Sequence, residues 1–259
     1  MKKILLALIA LGIFQCSFAQ TDSIGFRRSG DDDYIISIGG YDILMGQQGP
    51  KEKKFKMSHK PKSSLDMFSG MELGWCNLVG TDYAGYAQQD FLDCQNGLSS
   101  FHFGMDIVKA TVALNQSRNL YFVTGVQMNN ENYTFRNHVT LGYENGKIIP
   151  IPISSDYKKS KLVTTYFAVP LGFKLDISRK TSLSAYGFGG VLMESYTKYK
   201  KPKHKDHGID GLNPFQYGVG ASLLFDDYGI FAKYSTSPLF ESGKGPKAYS
   251  FSVGMYFDI

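Results

Sequence analysis

Leu162-Val163-Thr164-Thr165-Tyr166-Phe167-Ala168-Val169-Pro170-Leu171-Gly172-Phe173-Lys174-Leu175-Asp176-Ile177 alternates with a period of two along its whole length. Val163, Thr165, Phe167, Val169, Leu171, Phe173, Leu175 and Ile177 share one face and, Thr165 excepted, are apolar. The opposite face carries Thr164, Tyr166, Ala168, Pro170, Gly172, Lys174 and Asp176. Successive side chains of a strand point to opposite sides, so this pattern specifies a long β-strand with two different surroundings.

The same alternation returns in Phe215, Tyr217, Val219, Ala221, Leu223 and Phe225, opposed by Gln216, Gly218, Gly220 and Ser222. It returns again at the carboxyl end, where Tyr249, Phe251, Val253, Met255, Phe257 and Ile259 alternate with Ser250, Ser252, Gly254, Tyr256 and Asp258. Weaker copies at 65–77, 100–114, 120–135, 182–199 and 228–235 bring the expectation to eight long strands. The connections at 115–119, 178–181 and 226–227 are tight, whereas 79–99, 136–161, 200–214 and 238–248 are long. Short turns at one end and long loops at the other are the habit of barrels that cross an outer membrane, with the turns periplasmic and the loops external.

The amino terminus supplies the compartment. Lys2 and Lys3 precede an uncharged apolar run over 4–14, and Ser17 and Ala19 stand before Gln20. This reads as a secretory signal peptide over 1–19, too short to span a bilayer as a helix. Phe14 and Gln15, before Cys16, are too bulky for a lipoprotein signal. Cleavage would lower the formal charge from +5 to +3, a balance too weak to argue for nucleic acid. No later stretch is long and apolar enough for a membrane helix, so the chain is either soluble outside the cytoplasm or inserted as a barrel.

Alternation alone does not say what the apolar face touches, because a soluble lipocalin-like barrel alternates too. A soluble barrel should display many charges outside, yet the second face here is mostly Gly, Ser, Ala, Thr and Tyr, which suits a narrow polar lumen. The expected fold is therefore all-β: a closed antiparallel transmembrane β-barrel of about eight strands over 65–259, with a short periplasmic extension over 20–64. In that extension Tyr34-Ile35-Ile36-Ser37-Ile38 and Tyr41-Asp42-Ile43-Leu44, around Gly39-Gly40, read as a small hairpin, and the lysine-rich stretch 51–62 as a solvated tether. Asp31-Asp32-Asp33 read as a solvated tail. Glu72, Asp106, Lys174, Asp176, Glu194 and Lys233 fall on the inferred lumen face and are expected to neutralise one another in a packed plug, leaving no open pore. On this assignment a charge at Val169 or Val219 should impair insertion, and Gly218→Ser should be tolerated far better.

The last residues, Ser252, Gly254, Phe257 and Ile259, resemble the carboxyl-terminal signal read by the outer-membrane insertion machinery. Further blocks are Ser69-Gly70-Met71-Glu72-Leu73-Gly74, Thr124-Gly125, Asn132-Tyr133-Thr134-Phe135, Ser160-Lys161-Leu162, Tyr166-Phe167-Ala168-Val169-Pro170-Leu171, Asn213-Pro214-Phe215, Tyr234-Ser235-Thr236-Ser237-Pro238-Leu239-Phe240 and Gly243-Lys244-Gly245-Pro246. With them the region from 65 to 259 resembles the PorT-like outer-membrane β-barrel family of Bacteroides-type bacteria. That resemblance implies a barrel of about eight strands, with one branch of the family linked to protein secretion. Fold does not carry function, so a secretion role here is analogy. Pro170 and Pro238, each lacking a ladder donor, are expected at a bulge or a strand end.

Cys76 and Cys94 would lie in an oxidising compartment, where a loop-closing disulfide is one reading and two unpaired small residues the other. His204 and His207, with Asp206 and Asp210, sit in a lysine-rich loop and read as a charged loop in preference to a metal site. Among His59, His102, His138, His204 and His207 none has a recognisable Ser or Asp context, and His102 and His138 lie near loop-end strand termini. The sequence thus predicts a non-enzymatic outer-membrane protein of structural, assembly or surface-interaction role, without metal or cofactor. Its expected partners are outer-membrane lipid, the insertion machinery and a surface protein or polysaccharide. The alternatives are a barrel enzyme acting on lipid or peptide, with His102 or His138 bonded to a carboxylate and a hydroxyl, and a soluble periplasmic lipocalin-like carrier with its apolar rows turned inward.

Overall fold

The computed structural model describes residues 25–28, 34–38, 41–45, 63–95, 99–154, 159–199 and 204–259. The signal-peptide reading of 1–19 with Cys16, the Asp31-Asp32-Asp33 tail and the 51–62 tether with His59 lie outside the described residues. The chain divides into two units, 1–64 and 65–259. In the first, β1 (Gly25–Arg28), β2 (Tyr34–Ile38) and β3 (Tyr41–Met45) form an antiparallel sheet in that order. The expected hairpin is β2–β3, with Ile36 opposite Ile43, and β1 adds a third strand beside β2.

In the second unit lie β4 (Ser63–Asp82, but for its first two residues), β5 (Phe101–Ala113), β6 (Leu120–Thr134), β7 (Val139–Glu144), β8 (Lys147–Pro152), β9 (Ser160–Asp176), β10 (Thr181–Tyr199), β11 (His204–His207), β12 (Phe215–Phe225), β13 (Tyr228–Pro238) and β14 (Lys247–Asp258). Eight of them run in the order β10-β12-β13-β14-β4-β5-β6-β9, and β9 pairs back onto β10 from Ser182 opposite Asp176 to Tyr199 opposite Ser160. That last pairing closes the ring and leaves it without an edge. β7 and β8 form a hairpin within the β6–β9 connection, and β11 extends the loop end of β10, Tyr196 facing His207. The turns opposite are compact: Asn115 Oδ1 accepts from the Asn119 backbone N–H at 3.1 Å, and Asp226 adopts φ 54°, a conformation its short polar side chain tolerates.

The rows face as the alternation requires. Along β12 and β13, Phe215, Tyr217, Val219, Ala221, Tyr228, Ile230 and Tyr234 are exposed, while Gln216, Gly218, Ser222, Phe231, Lys233 and Ser235 are buried. Apolar rows on the outside of a closed ring exclude the lipocalin-like carrier. Val163 departs from its row: it is only 1% exposed, with Asn132 and Tyr196 as cross-strand neighbours near the loop end. β12 and β13, of 11 residues each, match the roughly 9–11 that cross the hydrocarbon, while the other six strands of the ring, 12 to 20 residues long, continue the wall beyond it.

Two bulges reset the parity. The register of β10 against β9 shifts between Leu192 and Glu194, so Ser195 and Thr197 turn inward and Glu194 turns out. Glu194 therefore does not belong to the lumen. A second shift between Asp106 and Val108 on β5 lets Asp106 and Lys109 face the same interior. Pro238 ends β13 beyond a register shift, and Pro170 lies at a gap in the β6–β9 ladder, which is paired at Ala168 and Leu171 but not between them.

The interior glycines make room for large neighbours. A Cβ on Gly220 would stand 2.5 Å from Tyr186 Cζ, and one on Gly218 would collide with the Tyr234 carbonyl oxygen and approach Phe188 Cζ to 2.9 Å. The expected tolerance of Gly218→Ser is therefore wrong, for steric reasons that have nothing to do with lumen polarity.

Candidate functional site

The lumen holds one chain of polar contacts running from the turn end toward the loop end. Lys109 Nζ donates to Asp258 Oδ1 at 2.9 Å and to the Tyr256 hydroxyl at 3.0 Å. That hydroxyl donates to Asp106 Oδ2 at 2.8 Å, and Gln127 Nε2 donates to Asp106 Oδ1 at 2.8 Å. Lys233 Nζ then reaches Gln127 Oε1 at 2.6 Å, Asn129 Oδ1 at 2.9 Å and Glu72 Oε2 at 2.5 Å. His102 Nε2 lies 3.1 Å from the same Glu72 oxygen, and its Nδ1 lies 3.9 Å from Glu131 Oε1. Glu131 is held by neutral donors: Tyr133 at 2.5 Å, Ser250 at 2.7 Å and Gln216 at 3.3 Å.

Each strand contributes by its period of two, except β5, whose bulge brings Lys109 inward with Asp106. Glu72 comes from β4, Asp106 and Lys109 from β5, Gln127, Asn129 and Glu131 from β6, and Lys233 from β13, so the contacts tie strands that are not neighbours in the sheet. Burying carboxylates and ammonium groups is costly unless they are paired or hydrogen-bonded; Glu72 and Lys233 pair with each other, and Asp106 is held by the neutral donors Tyr256 and Gln127. Toward the turn end a cavity of about 60 Å³ is bounded by Glu72, Asp106, Lys109, Lys174, Tyr186 and Tyr256, room for only a few waters.

Of the expected lumen group, Glu72, Asp106 and Lys233 come together. Lys174 and Asp176 stand 4.0 Å apart near the turn end, and Lys174 borders the small cavity. Glu194, turned outward, lies 3.8 Å from Lys205 Nζ and 3.5 Å from His207 Nδ1. Among the described residues no cluster of His, Cys, Asp and Glu is suited to a metal ion. In the terminal pattern Ser252 is buried inward, while Ile259 is exposed and Phe257 shares its row. The residues missed in the sequence are Glu131, Lys109, Gln127 and Asn129, while His102 was singled out only as a candidate base near a strand terminus and not as part of the lumen group; all but Lys109 keep the period-two spacing of their strands, which is the signal that could have found them.

Of the two readings of the cysteines, the structure has the unpaired one: Cys76 and Cys94 are free, buried thiols. Cys76 Sγ is directed at the Asn132 carbonyl and Cys94 Sγ at the Leu92 carbonyl, each at 3.5 Å, so the two side chains are engaged by separate backbone groups. Both belong to an apolar cap at the loop end, where Leu78, Tyr133, Leu162 and Ala248 of the strand ends meet Phe91, Leu92, Phe135, Leu212 and Phe240. Bridges between Cys94 and Phe135 and between Leu212 and Phe240 fasten the loops to it.

No curated protein matches the chain. Among solved structures it is similar to the crystal structure of Ail, the attachment invasion locus protein of Yersinia pestis, with 15% identity over 76% of this chain and 97% of that one and a TM-score of 0.35. Residues 80–242 match the family described as outer membrane protein beta-barrel domain, and that span is more than half of the sequence. With its closed ring of eight strands, outward apolar rows and a charged interior, the chain belongs to that family of outer-membrane β-barrels.

Proposed function

We propose that this barrel is a non-catalytic recognition protein of the cell surface: its lumen is sealed, its loop end faces the exterior and takes an extracellular protein or polysaccharide, and its amino-terminal segment stays in the periplasm. The PorT-like branch of the family is part of the same reading, supported by the sequence blocks over 65–259. The observation that carries the proposal is the cap. Loops that only linked strands would have no need of a shared apolar core, yet here Phe91, Phe135, Ile148, Leu212 and Phe240 are almost fully buried together. A rigid scaffold that positions loop residues is the usual setting for binding.

His102 has the carboxylate partner that an enzyme would need, but it is 0% exposed, and its Nδ1 has no hydrogen-bond partner, hydroxyl or otherwise. A general base needs access to its substrate, so this geometry favours a structural role.

Two measurements test the reading. Planar-bilayer recordings on the purified protein should show no steady conductance, and protease added to intact cells should cut the connection between β7 and β8 at Asn145-Gly146. Stable channels, or a connection cut only after the outer membrane is opened, would refute it.

A further inference from the structure

Lys198 on β10 stands directly opposite Lys161 of β9 on one side and Lys205 of β11 on the other. Leu162, Ser195 and Thr197 are buried toward the interior, so the alternation puts this row of lysines on the outer wall. Like charges directly opposite one another in an antiparallel pair are destabilising, and here the juxtaposition is repeated across three strands. Lys198, in the middle of the row, has no ion-pair partner among the described residues. Such a row is relieved by an anion from outside the chain.

The direction in which the ammonium groups lean identifies that anion. Lys161 Nζ donates to Asn132 Oδ1 at 2.6 Å, and Asn132 lies opposite Val163, one outer position nearer the apolar band. Lys205 Nζ lies 3.7 Å from the centre of the Tyr196 ring and 3.8 Å from Glu194 Oε1, so it too bends down the wall. Glu194 is opposite Thr165, next to the outward apolar series Phe167, Val169, Leu171 and Phe173. A lysine stem ordinarily carries its charged head away from hydrocarbon. Here the heads are carried to its edge, the layer in which lipid headgroups lie. The row is also local: the outer residues of β5 opposite Asn132 and Asn130 are Phe101 and Phe103. Glu194, an acid within reach of the row, is shared between Lys205 and His207, which leaves this flank with an excess of positive charge.

We infer that this flank holds the phosphate of an outer-leaflet glycolipid, seated among Lys161, Lys198 and Lys205, with the acyl chains running down over Phe167, Leu171 and Phe173. A soluble anion could approach the row from any side, whereas a phosphate fixed above acyl chains is presented at the level to which the ammonium groups bend. The outer leaflet of an outer membrane is built of phosphorylated glycolipid, so the partner is at hand wherever the loop end is external. The inference rests on that external placement and adds a lipid partner to the surface-recognition reading.

The test is native mass spectrometry and calorimetry on the full chain folded in a neutral detergent. The probes are lipid A, the same lipid stripped of its phosphates, and inorganic phosphate. Lipid A should bind in preference to the phosphate-free form, and more weakly as salt is raised. At ~1 kcal/mol for each lysine near an anionic surface, Lys198→Gln should weaken lipid A about fivefold, and Lys198→Gln combined with Lys205→Gln about 25-fold. Both variants should keep heat-modifiable gel migration. Without lipid, Lys198→Gln should raise the urea midpoint, because it relieves the repulsion along the row. A lowered midpoint would mean that Lys198 is satisfied within the protein, and would overturn the inference. So would equal binding of the two lipids, equal binding by the wild type and both variants, or displacement of lipid A by an equal concentration of inorganic phosphate. Protease accessibility of Asn145-Gly146 on intact cells separates the two claims. A hairpin cut on intact cells without preference for lipid A removes the lipid site alone, whereas a protected hairpin puts the lysines at the inner leaflet and removes both.

Discussion

Lys233 Nζ stands 2.5 Å from Glu72 Oε2 inside the barrel, and because β14 lies between their strands the contact crosses the lumen instead of running along the sheet. The same ammonium also reaches Gln127 and Asn129 on β6, so one side chain fastens three strands. Removing one member of a buried pair leaves the other uncompensated, at a cost of about 3–5 kcal/mol. Lys233→Met should lower stability by that order in urea titrations of the vesicle-inserted protein. Adding Glu72→Gln to it should recover a large part of the loss, because the orphaned charge is then gone. A double variant as unstable as the single one would show that the two groups are not coupled.

The lipid face gives a second expectation. Val219 is 54% exposed on the outer row of β12, and an arginine near mid-depth on that face costs about 2–4 kcal/mol. Val219→Arg should therefore reduce the yield of heat-modifiable protein. Ala221→Leu, two residues along the same row, should leave it unchanged. Gly218→Ser should be damaging as well, by collision with the Tyr234 carbonyl. A tolerated arginine at 219 would contradict the facing of the rows.

How far the fold could be read from residues alone depended on contrast between the two faces of each strand. In β9, β12 and β14 the faces differ sharply, and their facing was legible without coordinates. In β6 the contrast fails, because Asn130 and Asn132 lie on the outer row: Asn130 Nδ2 donates to Thr165 Oγ1 at 2.8 Å, and Lys161 Nζ donates to Asn132 Oδ1 at 2.6 Å. Polar residues on both faces hid Gln127, Asn129 and Glu131. The bulges at Met193 and Ile107 depend on how partner strands align, which one strand's own pattern does not encode, and they misplaced Glu194 and concealed Lys109. The cleft between the β7–β8 hairpin and the β10–β11 extension, lined by residues of 140–154 and 199–210, was illegible for a simpler reason: it is assembled from two loop segments some 60 residues apart in the chain.

The bulge makes a contrast between two glutamates measurable. Glu194 is on the outer surface among Lys205 and His207, where exposed ion pairs contribute about 0–1 kcal/mol. Glu131 is 4% exposed and accepts from Tyr133, Ser250 and Gln216, so its loss would strand several buried donors at about 1–3 kcal/mol for each group left unsatisfied. Glu194→Ala should be near neutral in urea titration, and Glu131→Ala strongly destabilising. Similar losses at both positions would mean that Glu194 faces the lumen after all.

The cysteines provide the last expectation, and it includes a pH dependence. Cys94 lies in the loop cap, outside the spanning strands, and burial pushes its thiol up to about 11 from an ordinary value of 9.0. The thiolate is the reactive form, so the folded protein should resist a maleimide or disulfide reagent at pH 8, and both Cys76 and Cys94 should react once urea opens the cap. The raised value also has a thermodynamic sign. Between pH 9 and 11 the unfolded chain releases this proton while the folded chain keeps it, so Cys94 makes stability fall across that window and adds no pH dependence well below it. Cys94→Ala should flatten this part of the stability profile. Because neither thiol is joined to the other, gel migration with and without reductant should be identical; a reductant-dependent shift of the monomer would restore the disulfide, and with it a covalent staple between β4 and the loop that follows.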